Sequence, residues 1–208
     1  DVLEELGQKE DTIIVYTADH GDLMGDFGAF FKCSFQQGSL HVPIIISGPG
    51  IPQSQKRDHL VGLQDILPTL AGLSECPLRQ EVHGQDLSSV IRDSKTKGRE
   101  MYYSQCLDEP NQMAMVTNAK WKYCYSQQGP TEELYDLVND PHELINLAAD
   151  QKYYDELVKW REILIREARR LGDTGLLDSS GAKGLCESTL NREDYKTLPI
   201  MGMGWRWY

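Results

Sequence analysis

The strongest constraint in this sequence is a run at residues 12–17 (TIIVYT) that passes without a break into Ala18-Asp19-His20-Gly21-Asp22. β-branched and aromatic residues favour a strand, and the lack of polar alternation asks for cover on both faces. The run is therefore predicted to be a buried, parallel strand. A chain leaving it through Asp-His-Gly places a carboxylate and an imidazole at the strand's C-terminal end, where open α/β sheets bind ligands. Residues 42–47 (VPIIIS) are read as a second buried strand, stopped by Gly48-Pro49-Gly50. Residues 22–39, rich in glycine and aromatics, are read as the loop between them.

Residues 58–73 have the spacing of an amphipathic helix, with Leu60, Leu63, Ile66, Leu67 and Leu70 on one face. Pro68 is expected to kink it or to start a new segment. Residues 83–93 read as a loop and a short helix. The grammar then changes to short strands at 101–104, 113–117, 121–125 and 133–136, punctuated by Pro110-Asn111, Asn118 and Gln128-Gly129-Pro130. A strong amphipathic helix follows at 151–171, with Tyr154, Leu157, Val158, Leu164, Ile165, Ala168 and Leu171 as its stripe. A helix on a small antiparallel sheet makes a compact subdomain.

From Gly172 the chain turns rich in glycine and serine and ends in Trp205-Arg206-Trp207-Tyr208. That aromatic end either packs on its own domain or serves as an arm for a second subunit, the route to a homo-oligomer. At the other end, residues 1–6 read as the tail of a helix closed by Gly7. A chain that starts inside a helix is expected to be a piece of something longer. The compartment therefore stays open between cytoplasmic and periplasmic or secreted.

The formal net charge is −11, which argues against a nucleic-acid partner, because phosphate-backbone affinity comes from Lys and Arg. No apolar run approaches the roughly 20 residues that span a bilayer, so no membrane partner is expected. Five cysteines at wide spacings, with no CxxC pair, suggest thiols in a reducing compartment, with one or two disulfides as the alternative.

Asp19 and His20 are the first candidates for chemistry. Both ligate divalent cations; the carboxylate suits Ca²⁺ or Mg²⁺, and the imidazole leans toward a transition metal. Gly21 permits the backbone turn that would let neighbours share one ion. The plainer alternative makes Asp19 a turn cap and His20 a satisfied, partly buried histidine. Lys32 is the second candidate. In the loop Gly28-Ala29-Phe30-Phe31-Lys32 it could bind an oxyanion and stabilise developing charge, or it could be an ordinary solvated lysine. His41, His59, His83 and His142 are scattered singles and read as structural or exposed. No GxSxG, P-loop or GxGxxG sequence is present.

Taken together these segments resemble the sulfatase family of the alkaline-phosphatase superfamily. The resemblance is carried by TIIVYTADHGD (12–22), Gly25-Asp26-Phe27-Gly28, Lys32, and Val42-Pro43-Ile44-Ile45-Ile46. It continues in Asp65-Ile66-Leu67-Pro68-Thr69-Leu70, His83-Gly84-Gln85-Asp86-Leu87, Lys120-Trp121-Lys122-Tyr123 and, most specifically, ELYDLVNDPHELINL (133–147). It covers residues 1–171 and stops there.

The resemblance implies an α/β fold. Residues 1–98 would be the C-terminal part of an alkaline-phosphatase-like catalytic domain with a mixed sheet. Residues 99–171 would be a small four-stranded antiparallel sheet with a long helix, and 172–208 an irregular tail. It also implies hydrolysis of a small-molecule or glycan sulfate ester. Asp19 and His20 would be ligands of a divalent metal, Ca²⁺ first and Mg²⁺ second, and Lys32 would be the catalytic, substrate-binding cation. The family's nucleophile is a formylglycine made within C/S-x-P-x-R, usually after an Asp-Asp pair. Neither motif occurs here, so both are expected on an N-terminal segment outside these residues, and this chain by itself is expected to be inactive. Phe35-Gln36-Gln37 replaces the family's aromatic-Glu, and His41 replaces its Arg before Val-Pro, which touches loop stability or substrate choice. The rivals are a phosphonate or phosphodiester hydrolase of the same superfamily and a non-catalytic fragment or interaction module.

Overall fold

A computed structural model describes residues 2–107, 111–127, 131–178 and 184–186. The TIIVYT run forms β1 (Ile14–Thr17) and the Val-Pro run forms β2 (Ile44–Ser47). The two pair antiparallel, with Ile14 opposite Ser47 and Thr17 opposite Ile44. The expectation of a parallel, fully buried strand is therefore corrected. Val15, Ile44 and Ile46 face Ile66, Thr69, Leu70 and Leu87, leaving a gap of only about 10 Å³. On the other face Ile14, Tyr16 and Ile45 are 47%, 62% and 59% exposed. The missing alternation encodes cover for two faces, and the described residues cover one.

This ribbon belongs to the first of two compact units, Asp1–Tyr102 with Thr117–Lys120 and Leu137–Leu144. The unit also holds α1 (Val2–Glu5), followed by Gly7 at φ 65°, and α2 (Gln37–Leu40), α3 (Ile66–Leu73) and α4 (Ser88–Arg92). The helix expected over 58–73 is shorter than its pattern: residues 58–62 are not helical, and a 3-10 turn at Leu63–Asp65 leads into α3. Two local facts set that start. Gly62 is extended and packs so tightly on Tyr102 that a Cβ would lie 2.0 Å from its hydroxyl. Pro68 falls in the first turn of α3, where its missing N–H costs nothing. Leu67, placed on the apolar face by spacing, is instead 58% exposed.

Asp65 ties this unit together. Its carboxylate is fully buried and accepts the Gly62 and Gln85 N–H groups at 2.8 Å each and Arg99 Nη2 at 2.5 Å. Arg99 in turn lies 5.0 Å over the Tyr102 ring. One side chain thus joins the entry to α3, the 83–87 loop and the 99–102 segment.

The second unit comprises Tyr103–Val116, Trp121–Asp136 and Ile145–Tyr208. Its sheet runs in the order β3 (Tyr102–Cys106), β4 (Met113–Thr117), β5 (Trp121–Ser126), β6 (Thr131–Asp136), as the strand-and-turn rhythm predicts. β5 and β6 are antiparallel, with Trp121 opposite Asp136. Helix α5 (Tyr154–Leu171) packs on β5 and ends at Gly172 in the left-handed conformation. Its buried residues are Leu157, Trp160, Leu164 and Ala168. Trp160 was absent from the predicted stripe, and Tyr154, included in it, is 51% exposed. Trp160 is admitted to the core because Glu156 Oε1 accepts its indole N–H at 2.8 Å.

Arg161 donates to both Glu132 oxygens at 2.6 and 3.0 Å, and the Tyr123 hydroxyl joins them at 2.8 Å. Burial first, and the Glu132 carboxylate second, push that hydroxyl well above the ordinary tyrosine range.

None of the five cysteines forms a disulfide. No helix among the described residues is long and apolar enough to cross a membrane. The aromatic end, and with it the expected oligomer arm, lies outside the described residues.

Replacing Asp65 with Ala strips Arg99 of its buried partner, and losing one partner of such a pair costs about 3–5 kcal/mol. Urea unfolding of the variant is expected to show a midpoint lowered to match. An unchanged midpoint would refute the pinning role.

Candidate active site

The site is built where β1 ends. Asp19 is open to solvent, with a side-chain exposure of 84%, and its Oδ1 accepts the His20 backbone N–H at 3.0 Å. The His20 ring is held from both sides. Nδ1 lies 2.7 Å from the Gly21 carbonyl oxygen, and Nε2 lies 2.7 Å from Lys32 Nζ. A carbonyl oxygen can only accept, so Nδ1 carries the proton and the Nε2 lone pair accepts from the Lys32 ammonium. Asp19 Oδ2 is 3.4 Å from the same Nε2. The three residues singled out in the sequence thus converge on one point, although twelve positions separate His20 from Lys32.

Loop geometry makes that convergence. The Gly21 N–H donates to Ser39 O at 2.7 Å, and a Cβ on Gly21 would sit 2.0 Å from the Gly38 oxygen. Only glycine lets the two backbones approach so closely. Asp22 folds the intervening loop: its Oδ1 accepts the Met24 N–H at 2.8 Å and the Phe31 N–H at 3.0 Å. Met24, Phe27, Phe31 and Cys33 have φ of 53°, 56°, 70° and 67°, an unusual density of left-handed non-glycine residues. Such strain gathers where a loop is held in a functional shape.

Sequence reasoning missed two of the residues that position Lys32. Asp22 is one; its signal is an Asp two residues before a turn amide, the Asx pattern. Glu143 is the other. It is buried, and its Oε2 accepts the Gln37 N–H at 2.7 Å, five residues beyond Lys32. The Asn139-Asp140-Pro141-His142-Glu143 run therefore reaches back to the lysine loop. Asn146, three residues further on, serves β6 instead: its Oδ1 accepts the Leu134 N–H at 3.0 Å.

Asp19 and His20 are donors of the kind a divalent cation takes, and in this structure the Nε2 lone pair of His20 is held by Lys32. A ligating imidazole typically donates its other N–H to a backbone carbonyl, which fixes the tautomer, and His20 does this with Gly21. Two donors do not complete a coordination sphere, and no group of three or more His, Cys, Asp or Glu close enough to share an ion exists among the described residues. His41, His83 and His142 are exposed and lie outside this convergence. His59 Nε2 contacts Thr96 O at 2.8 Å, a structural role.

Glu143→Ala would leave the Gln37 amide without its carboxylate, at about 1–3 kcal/mol. Exchange of the Gln37 N–H should then quicken by roughly tenfold to a hundredfold. Equal protection in the two proteins would remove Glu143 from the positioning of this loop.

Comparison with known proteins fits this geometry. The family model for the C-terminal region of N-sulphoglucosamine sulphohydrolase matches residues 25–170. Arylsulfatase K of Bos taurus is 34% identical over 158 residues, covering 71% of this chain and 29% of its own length. The chain therefore spans about a third or less of that relative. A 2-O GAG sulfatase of known structure superposes with a TM-score of 0.74 at 34% identity, over 83% of this chain and 40% of its own. The phosphonate monoester hydrolase of Agrobacterium radiobacter does so with a TM-score of 0.71 at 27% identity, over 81% of this chain and 37% of its own. By the extent of the family match and by these likenesses, the chain belongs to the sulfatase family and corresponds to the C-terminal region of its members.

Proposed function

We propose that this chain supplies half of the active site of a sulfuric ester hydrolase, and that Asp19, His20 and Lys32 are its working residues. The observation that carries the reading is the convergence of Asp19 Oδ2 and Lys32 Nζ on His20 Nε2, at 3.4 and 2.7 Å. A cation beside an ammonium is what the negatively charged oxygens of a sulfate ester need.

Lys32 is the oxyanion contact in this proposal. Its ammonium already sits beside the His20 lone pair, within reach of any anion drawn there, and it neutralises charge that builds on the ester oxygens. Asp19 and His20 would hold Ca²⁺ or Mg²⁺, which when bound polarises an ester oxygen and lowers the pKa of the nucleophile. The hydrogen bond from Nδ1–H to the Gly21 carbonyl oxygen holds His20 in the tautomer that leaves a lone pair on Nε2; that lone pair now accepts from Lys32 and would pass to the ion when Lys32 turns to the ester. Asp22 and Glu143 act only through the loop backbone.

The 208 residues hold no C/S-x-P-x-R sequence, so the formylglycine nucleophile, and with it turnover, is assigned to the part of the longer relatives that this chain does not match. The chain by itself would then be inactive. The substrate class is a sulfate ester of a small molecule or glycan. Hydrolysis of a phosphonate ester is the second reading, favoured by the likeness to the phosphonate monoester hydrolase. Both reactions use a bound cation and an oxyanion contact, so the local geometry serves either.

The test uses the protein that carries this chain together with those further segments. It should hydrolyse an aryl sulfate faster than a matched aryl phosphonate. Asp19→Ala should lower kcat/KM by about a hundredfold or more and reduce bound metal in parallel. Near-normal turnover with full metal content would contradict the assignment, and a preference for the phosphonate would move it to the second reading.

A further inference from the structure

We propose that Lys32 also gates the cation site: its ammonium and a divalent cation compete for the one lone pair of His20 Nε2, and an ester, by drawing Lys32 away, opens that lone pair to the cation. This rests on the hydrolase reading, because it names how the same site is regulated.

The competition follows from the hydrogen bonds of one ring. Nδ1 carries the proton and donates it to the Gly21 carbonyl oxygen at 2.7 Å, so the lone pair on Nε2 is the only one the ring can offer. Lys32 Nζ lies 2.7 Å from that nitrogen. A metal–imidazole bond is about 2 Å long. An ion on the same lone pair would therefore overlap the ammonium, and the two positive charges would repel strongly. One of them has to leave. Asp19 can meet an ion while the imidazole is still taken, because its side chain is 84% exposed and its Oδ2 lies 3.4 Å from Nε2. One carboxylate, however, is a small part of the roughly six to eight oxygens that Ca²⁺ takes. The ion is held loosely until His20 joins.

The loop makes the Lys32 side chain the part that moves. The backbone is tied on both flanks, by the Phe31 N–H to Asp22 at 3.0 Å and the Gln37 N–H to Glu143 at 2.7 Å. A lysine ammonium rides on a flexible four-carbon stem, so it can swing while the loop stays. His20 cannot retreat in the same way, since its ring is bonded to Gly21 and the Gly21 N–H is bonded to Ser39 O at 2.7 Å. The charged oxygens of an ester give the ammonium a stronger acceptor than a neutral imidazole. Cation and ester are thereby coupled, and each raises the other's affinity by the same factor.

The experiment is a Mn²⁺ titration of the isotope-labelled 208-residue chain, read as broadening of the Gly21 amide. Lys32→Met removes the competitor and should tighten Mn²⁺ by about tenfold. In the His20→Ala background the same change should restore no binding, because the contested lone pair is gone. Methyl sulfate, compared with an equal concentration of chloride, should raise Mn²⁺ affinity by about threefold to tenfold in the unaltered chain and not in Lys32→Met. A second measurement needs no variant: diamagnetic Zn²⁺ should move the Lys32 ε-methylene signal in step with the His20 ring signals. Unchanged Mn²⁺ affinity in Lys32→Met would overturn the gate, as would equal tightening with and without His20, since that reports plain charge repulsion. An equal effect of methyl sulfate in both proteins, or none in either, would overturn it too, as would a Lys32 signal that stays in place while the His20 ring shifts. Each of those results leaves a cation at His20 and the hydrolase reading standing. Absence of binding at Gly21 in both the unaltered chain and Lys32→Met would instead remove the cation site from that reading, and the gate with it.

Discussion

The convergence of Asp19, His20 and Lys32 depends on one close approach of backbone to backbone. Gly21 gives its N–H to Ser39 at 2.7 Å and leaves no room for a Cβ against Gly38. That contact ties the exit of β1 to the far end of the lysine loop. With its ends fixed, the loop is folded by Asp22 and braced by Glu143, and Lys32 is delivered to His20. His20 is fixed in turn by its hydrogen bond to Gly21. A glycine, a carboxylate on each flank and a short strand thus hold two side chains that are far apart in sequence. Strain at Phe27, Phe31 and Cys33 is the local cost of that shape.

The second unit is held by a different logic. Its four-stranded sheet is covered by α5 at β5, and its buried charge is satisfied internally by Arg161, Glu132 and Tyr123. Asn146 satisfies an amide of β6, which lies at the end of the sheet order. The run from Glu133 to Leu147 looked like the most specific signature in the sequence, and the structure gives it two physical jobs. Glu143 braces the lysine loop within the first unit, and Asn146 satisfies a strand amide within the second.

Much of this was legible beforehand because the signals were local. Strands of the second sheet follow from short apolar runs between turn residues, and α5 from its periodic stripe. Asp19, His20 and Lys32 stood out as metal- and anion-type residues at a strand's end. What failed was what depends on the rest of the structure. Strand direction in β1 cannot be read from a run without alternation, since such a run reports cover on two faces and not the orientation of its neighbour. The start of α3 was misplaced because Gly62 against Tyr102 and the buried Asp65–Arg99 pair override the periodicity of residues 58–62. Trp160 was overlooked because its burial depends on Glu156 taking the indole N–H. Asp22 and Glu143 were missed because a carboxylate that holds backbone amides looks like any solvated acid.

The most direct test is to place an ion and see where it goes. Mn²⁺ accepts carboxylate and imidazole ligands and broadens nearby amide resonances. Added in small amounts to this chain, it is expected to broaden the amides of His20, Gly21 and Lys32 first, and to lose that pattern when His20 is replaced by Ala. Broadening centred elsewhere on the acidic surface, with these amides untouched, would contradict the claim that the end of β1 is a cation site.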